Sequence, residues 1–185
     1  MYSKARIAGH PIHPMLISLP IGMFVATTAA LLAYLGTADP FYYRASMIAN
    51  LSGVATALLA AAPGAIDLFA LPAGSDARAT GLKHAGAALL AVGLFAVSAL
   101  LLWHGWNAAV LDGDANVLAA AIPLAVAVLG LLAIVIVGAL GWSLVQTHHV
   151  GVRPIAKRPA DSALEFDNRT AFVRRPRSER PVYRH

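Results

Sequence analysis

The chain has 185 residues, of which 58% are hydrophobic and 12% charged, against about a quarter charged in an average soluble domain. Its formal charge of +5 belongs to residues 151–185, because Lys4, Arg6, Arg44, Arg78 and Lys83 balance Asp39, Asp67, Asp76, Asp112 and Asp114 in residues 1–150. With no cysteine, disulfides, thiolate zinc sites, iron–sulfur ligation and cysteine nucleophiles are excluded, so a bound metal or cofactor must be held by His, Asp, Met or backbone.

Two His-Pro pairs, at His10 and His13, open the chain. A following proline disfavours helix, so both histidines are expected in extended or turn backbone that fixes the depth of each ring. Four windows, free of charge apart from Asp67 at the end of the second, are then long enough to cross a hydrocarbon core, which needs roughly 20 residues. They run over about 16–35, 45–68, 85–106 and 118–145. The first is longer than the ~7–15 apolar residues of a signal peptide and is expected to be a retained helix.

The second window carries Ser52, Thr56, Ala60 and Gly64 at every fourth position, with Gly53, Ala57, Ala61 and Ala65 in the adjacent row. Small residues at this spacing let helices approach closely in lipid, where no hydrophobic drive separates protein from solvent. Pro63 is expected to kink this helix or open its ladder. Asp67 follows at its inner end. There it is expected to orient a ligating histidine, to ligate a cation directly, or to pair with Arg78 or Lys83. His84 opens the third window, and His104, between Trp103 and Trp106, reads as interfacial. Asp112 and Asp114 flank Gly113 as an outer turn. The fourth window closes on His148 and His149, which point to different sides of one helix, so at most one faces the bundle.

Lys and Arg in the short flanks place both termini on the cytoplasmic side. Tyr34, Phe41, Tyr42, Tyr43, Trp103 and Trp106 are expected as an outer aromatic belt, with Trp142 at the inner side. The expected architecture is all-α: four transmembrane helices, N-in and C-in, over residues 1–150. Residues 151–185 are Arg- and Pro-rich and are expected to be a disordered basic cytoplasmic tail that rests on anionic lipid. Nothing in the tail suggests a nucleic-acid partner.

Gly9-His10-Pro11-Ile12-His13-Pro14, leading into Leu19-Pro20-Ile21-Gly22, resembles the opening signature of a bacterial membrane-protein family, domain of unknown function 2231. Three further stretches fit the pattern. They are Ala62-Pro63-Gly64-Ala65-Ile66-Asp67-Leu68, Lys83-His84-Ala85, and Gly141-Trp142 through Val150-Gly151-Val152. The resemblance covers roughly residues 8–153 and implies a four-helix bundle in a bacterial inner membrane. It implies no activity. It also gives no support to His148 or His149, where the sequence departs from the pattern.

On this topology His10, His13, Asp67, His84, His148 and His149 reach one membrane face. Ionisable groups held in membrane spans mark functional sites. His10, His13 and His84 are therefore candidate ligands of haem b or a divalent metal ion, with Asp67 as orienter and His148 or His149 as a fourth metal ligand. The leading expectation is a non-catalytic membrane protein accessory to a redox complex. The alternatives are a small proton- or cation-coupled transport component working as a homo-oligomer, and a structural or assembly protein without cofactor. An enzyme is the least supported class, since no nucleophile–base set or phosphate loop is present.

Overall fold

The computed structural model describes residues 3–107 and 120–152. A two-residue hairpin comes first, β1 (Arg6–Ile7) paired antiparallel with β2 (His10–Pro11). Its turn needs left-handed backbone at both central residues, and Ala8 (φ 50°) and Gly9 (φ 83°) supply it. A short helix α1 (Ile12–Leu16) leads into α2 (Ser18–Thr37). The remaining helices are α3 (Pro40–Phe69), α4 (Asp76–Trp106) and α5 (Ala121–Gln146).

The helix ends follow local chemistry. Asp39 caps α3 by accepting from Phe41 N at 2.8 Å, ahead of Pro40 in the first turn, where its missing N–H costs nothing. Ser75 caps α4 by accepting from Arg78 N. Four helical stretches, 12–37, 40–69, 76–106 and 121–146, are long and apolar enough to cross a membrane. Each stretch overlaps one expected window; the first three begin ahead of theirs, and α5 begins at Ala121, inside the window expected from 118. One expectation fails locally. His10 is extended in β2, but His13 is helical, the second residue of α1. Pro14 sits in the first turn, where its absent N–H removes no hydrogen bond, so the proline penalty is small.

The helices form a ring in which α2 packs on α3 and α4 on α5 most extensively, with α3–α4 and α2–α5 contacts closing it. Large aliphatic side chains such as Leu58, Leu89 and Val135 point outward, as lipid-facing residues must. The interior holds Phe24, Leu31, Tyr34, Tyr43, Met47, Phe95 and Leu102. It also buries Thr27, Thr28, Ser46, Asn50 and Ser98. Tyr34 and Tyr43 are thus core residues and not part of an outer belt. Their rings meet edge to face at 5.1 Å, and the Tyr43 hydroxyl donates to the Leu102 carbonyl at 2.6 Å. Phe41 and Trp103 are exposed, as expected of a belt.

On α3 the row Ser52, Thr56, Ala60 and Gly64 stays toward the bundle along its length, whereas the second row starts buried at Gly53 and is exposed by Ala61 and Ala65. A four-residue step overshoots a helical turn by about 40°, so only one of two adjacent rows can stay at the interface. The helix continues through Pro63, which is itself buried.

Candidate functional site

The bundle end that carries residues 3–16, the end of α3 and the start of α4 contains two imidazoles held in matching ways. His13 Nδ1 donates to the Ala60 carbonyl of α3 at 2.8 Å. His84 Nδ1 donates to the Val137 carbonyl of α5 at 3.0 Å. A carbonyl can only accept, so Nδ1 of each ring carries a proton, and Nε2 is the nitrogen left with a lone pair in the neutral imidazole. In each case a glycine one turn beyond the accepting carbonyl admits the ring. A Cβ on Gly64 would lie 2.9 Å from His13 Nδ1, and one on Gly141 3.3 Å from His84 Cε1. The two rings face each other edge to face, 6.3 Å between centroids and 83° between planes.

Asp67 does not join them. Its carboxylate accepts from Ser3 Oγ at 2.7 Å, Lys4 N at 2.7 Å and Ala5 N at 3.1 Å. It anchors the N-terminal strap, whose Ser3 and Ala5 are buried. The expected partner Arg78 donates instead to the Leu71 carbonyl. The expected cluster therefore contracts to a pair, with backbone carbonyls in the orienting role assigned to the acid. His10 lies on the exposed hairpin, donating from Nδ1 to the Ala8 carbonyl at 3.1 Å. His148 Nε2 is hydrogen-bonded to the Thr80 hydroxyl at 3.2 Å, and His149 has left-handed backbone at φ 52°. Among the described residues no group of three or more His, Cys, Asp or Glu side chains could hold a metal ion.

The matching extends through the bundle. His13, Gly22, Phe24, Thr27 and Leu31 of the first rising helix recur, at one constant offset, as His84, Gly93, Phe95, Ser98 and Leu102 of α4. Ala60, Gly53 and Gly64 of α3 recur at a second offset as Val137, Gly130 and Gly141 of α5. Phe24 and Phe95 stack at 3.9 Å with 13° between planes. Each ring lies over a glycine of its own hairpin, where an added Cβ would come within 2.6 Å, Gly53 for Phe24 and Gly130 for Phe95. The chain is thus two similar helical hairpins, α1–α3 and α4–α5, related by a pseudo-two-fold axis along the bundle. The two phenylalanines and the two histidines meet across that axis.

Residues 9–154, which contain both histidines and all four long helices, match the family model described as a predicted membrane protein, DUF2231. The chain belongs to this family. No curated protein and no solved structure matches it. Membership in DUF2231 and four helices of spanning length together make this a multi-pass membrane protein.

In this DUF2231 chain, sequence reasoning did not place Ala60, Val137, Gly64 and Gly141 at the histidines. Two of them act through backbone carbonyls, which no side-chain pattern reveals. The glycines had a signal, because Gly53 and Gly64 recur at the same spacing as Gly130 and Gly141 when the chain is compared with itself. The expected outer turn at Asp112 and Asp114, and the tail from residue 153 onward, lie outside the described residues.

Proposed function

We propose that this protein binds one b-type haem between His13 and His84, at the cytoplasmic end of the bundle, and serves a redox complex of the bacterial inner membrane as a non-catalytic subunit. The observation that carries this reading is the spacing and tautomer of the pair. His13 and His84, one from each hairpin, would hold the iron through their Nε2 atoms, and the group would supply one-electron chemistry. Their rings are 6.3 Å apart. Ligating histidines characteristically donate their other N–H to a carbonyl or carboxylate, which fixes the tautomer and makes the ligand more basic, and both rings do so.

A divalent metal held by protein alone needs more than two ligands, and Asp67 is engaged with the strap. A macrocycle brings its own four nitrogens. The pair joins the two hairpins, and the seam between them is packed less extensively than either hairpin is within itself. The chain's own part is to hold the two rings, keep their Nε2 atoms deprotonated and shield the pair from the far side with the Phe24–Phe95 stack. The Lys4, Arg6, Arg78 and Lys83 flanks support that orientation.

The test is the absorption spectrum of protein purified in detergent after expression with added haem precursor. The expected result is one haem per chain with a low-spin, bis-imidazole spectrum, lost in His13→Ala and in His84→Ala and retained in His10→Ala and His148→Ala. Haem binding that persists in both His13→Ala and His84→Ala would refute the assignment.

A further inference from the structure

Asn50 lies fully buried in the bundle, with neither Oδ1 nor Nδ2 hydrogen-bonded within the chain. Its position is fixed by neighbouring contacts. Phe24 packs on Gly53 and stacks on Phe95, which packs on Gly130. Thr27, Asn50, Ser98 and Ala127 are each one helical turn outward from those four residues, and all four have zero exposure. They form the next layer on the pseudo-two-fold axis, closed on one side by the phenylalanines and on the other by Leu31 and Leu102, also at zero exposure.

The hydroxyl groups around this layer are already committed as donors. Thr27 donates to the Met23 carbonyl at 2.9 Å and Thr28 to Phe24 at 3.1 Å. Ser46 donates to Tyr43 at 2.8 Å and Ser98 to Pro123 at 3.0 Å. Nothing in the layer can donate to Asn50 Oδ1, while the Thr27 and Ser98 oxygens keep lone pairs that can accept. The unengaged Tyr34 hydroxyl is seven residues from Thr27, about 10 Å along the helix. An unpaired carboxamide in hydrocarbon is costly, so the partner must be a small species that both donates and accepts.

We infer that Asn50 binds a buried water molecule in this layer, one that donates one proton to Oδ1 and either accepts from Nδ2 or donates its second proton to the Thr27 or the Ser98 oxygen. The layer is asymmetric where the water would sit, because the position that matches Asn50 in the second hairpin is Ala127, whose methyl group is smaller than a carboxamide. A sodium ion would also find neutral oxygens here. However, no acidic residue lies in the layer, and an uncompensated cation in the bilayer interior is far more costly than a water. The site is separate from the histidine pair and does not depend on the haem reading.

The test is radiolytic hydroxyl-radical labelling of the intact protein in nanodiscs, read at Met47, one turn from Asn50 and only 4% exposed. A trapped water generates radicals in place, so Met47 should be oxidised in the wild type despite its burial. The labelling should fall several-fold in Asn50→Leu and in Ala127→Leu, which fills the space from the opposite helix. Exposed Met15 should be labelled equally in all three and serves as the control. Wild-type Met47 that stays unoxidised overturns the inference whether or not the variants fold. Labelling unchanged in folded Asn50→Leu and Ala127→Leu also overturns it. So does labelling that falls when choline chloride is replaced by sodium chloride, since the occupant would then be the cation.

Discussion

Gly64→Ala and Gly141→Ala are chemically the same substitution at axis-related positions, yet the geometry predicts different outcomes. A Cβ on Gly64 would sit 2.9 Å from His13 Nδ1 and 3.0 Å from Cε1, closer than real Cβ contacts allow. The His13 ring must therefore move and lose its 2.8 Å bond to Ala60. Losing that bond costs about 1 kcal/mol, and the overpacking adds about 1–3 kcal/mol. Alanine returns about 1 kcal/mol through helix propensity, which leaves a net destabilisation of about 1–3 kcal/mol. At Gly141 the nearest His84 atoms would be 3.3 and 3.5 Å away. A shift of a few tenths of an ångström suffices there, and the propensity gain brings the net effect close to zero. Equilibrium unfolding in mixed detergent micelles, followed by circular dichroism, measures both. If Gly141→Ala proves as destabilising as Gly64→Ala, or if Gly64→Ala is neutral, the account of how the His13 ring is seated is wrong.

Asp67→Ala removes the acceptor of two backbone amides and one hydroxyl. It should free the strap, seen as faster hydrogen exchange at the Lys4 and Ala5 amides and as new proteolysis before residue 12, while any haem spectrum stays unchanged. Loss of the spectrum would return Asp67 to the ligand environment. Phe24→Ala should cost about 3–5 kcal/mol. A double-mutant cycle with Phe95→Ala should show a coupling of about 0.5–1.5 kcal/mol beyond burial; strictly additive effects would mean the stack contributes only as apolar volume.

The four helices were legible because a bilayer imposes a length and an apolar composition on any span, but their polar starts at Pro40 and Asp76 lie ahead of the apolar windows. Spacing marked α3 as a small-residue packing helix with two candidate rows, and the structure selects the one through Ala60 and Gly64. The site was legible only in part. His13 and His84 were among the candidates, but so were His10 and His148, and nothing in the sequence says that an exposed hairpin carries the first away or that Thr80 engages the last. Asp67 misled for a physical reason. A carboxylate near a helix end suggests charged or imidazole partners, whereas its actual donors include the amides of Lys4 and Ala5, groups every residue possesses. The repeat was hidden by the unequal lengths of the two hairpins, which shift the second helix of each pair out of step with the first.

Both imidazole anchors are internal to a hairpin, His13 on α3 and His84 on α5. Each hairpin can therefore leave the insertion machinery with its ring already aimed, before the other has been synthesised. Docking the halves then brings together two finished half-sites and demands no late rearrangement of either ring. Biogenesis becomes a test of pairing: a chain whose second half fails to dock would display one histidine per unit and no site at all.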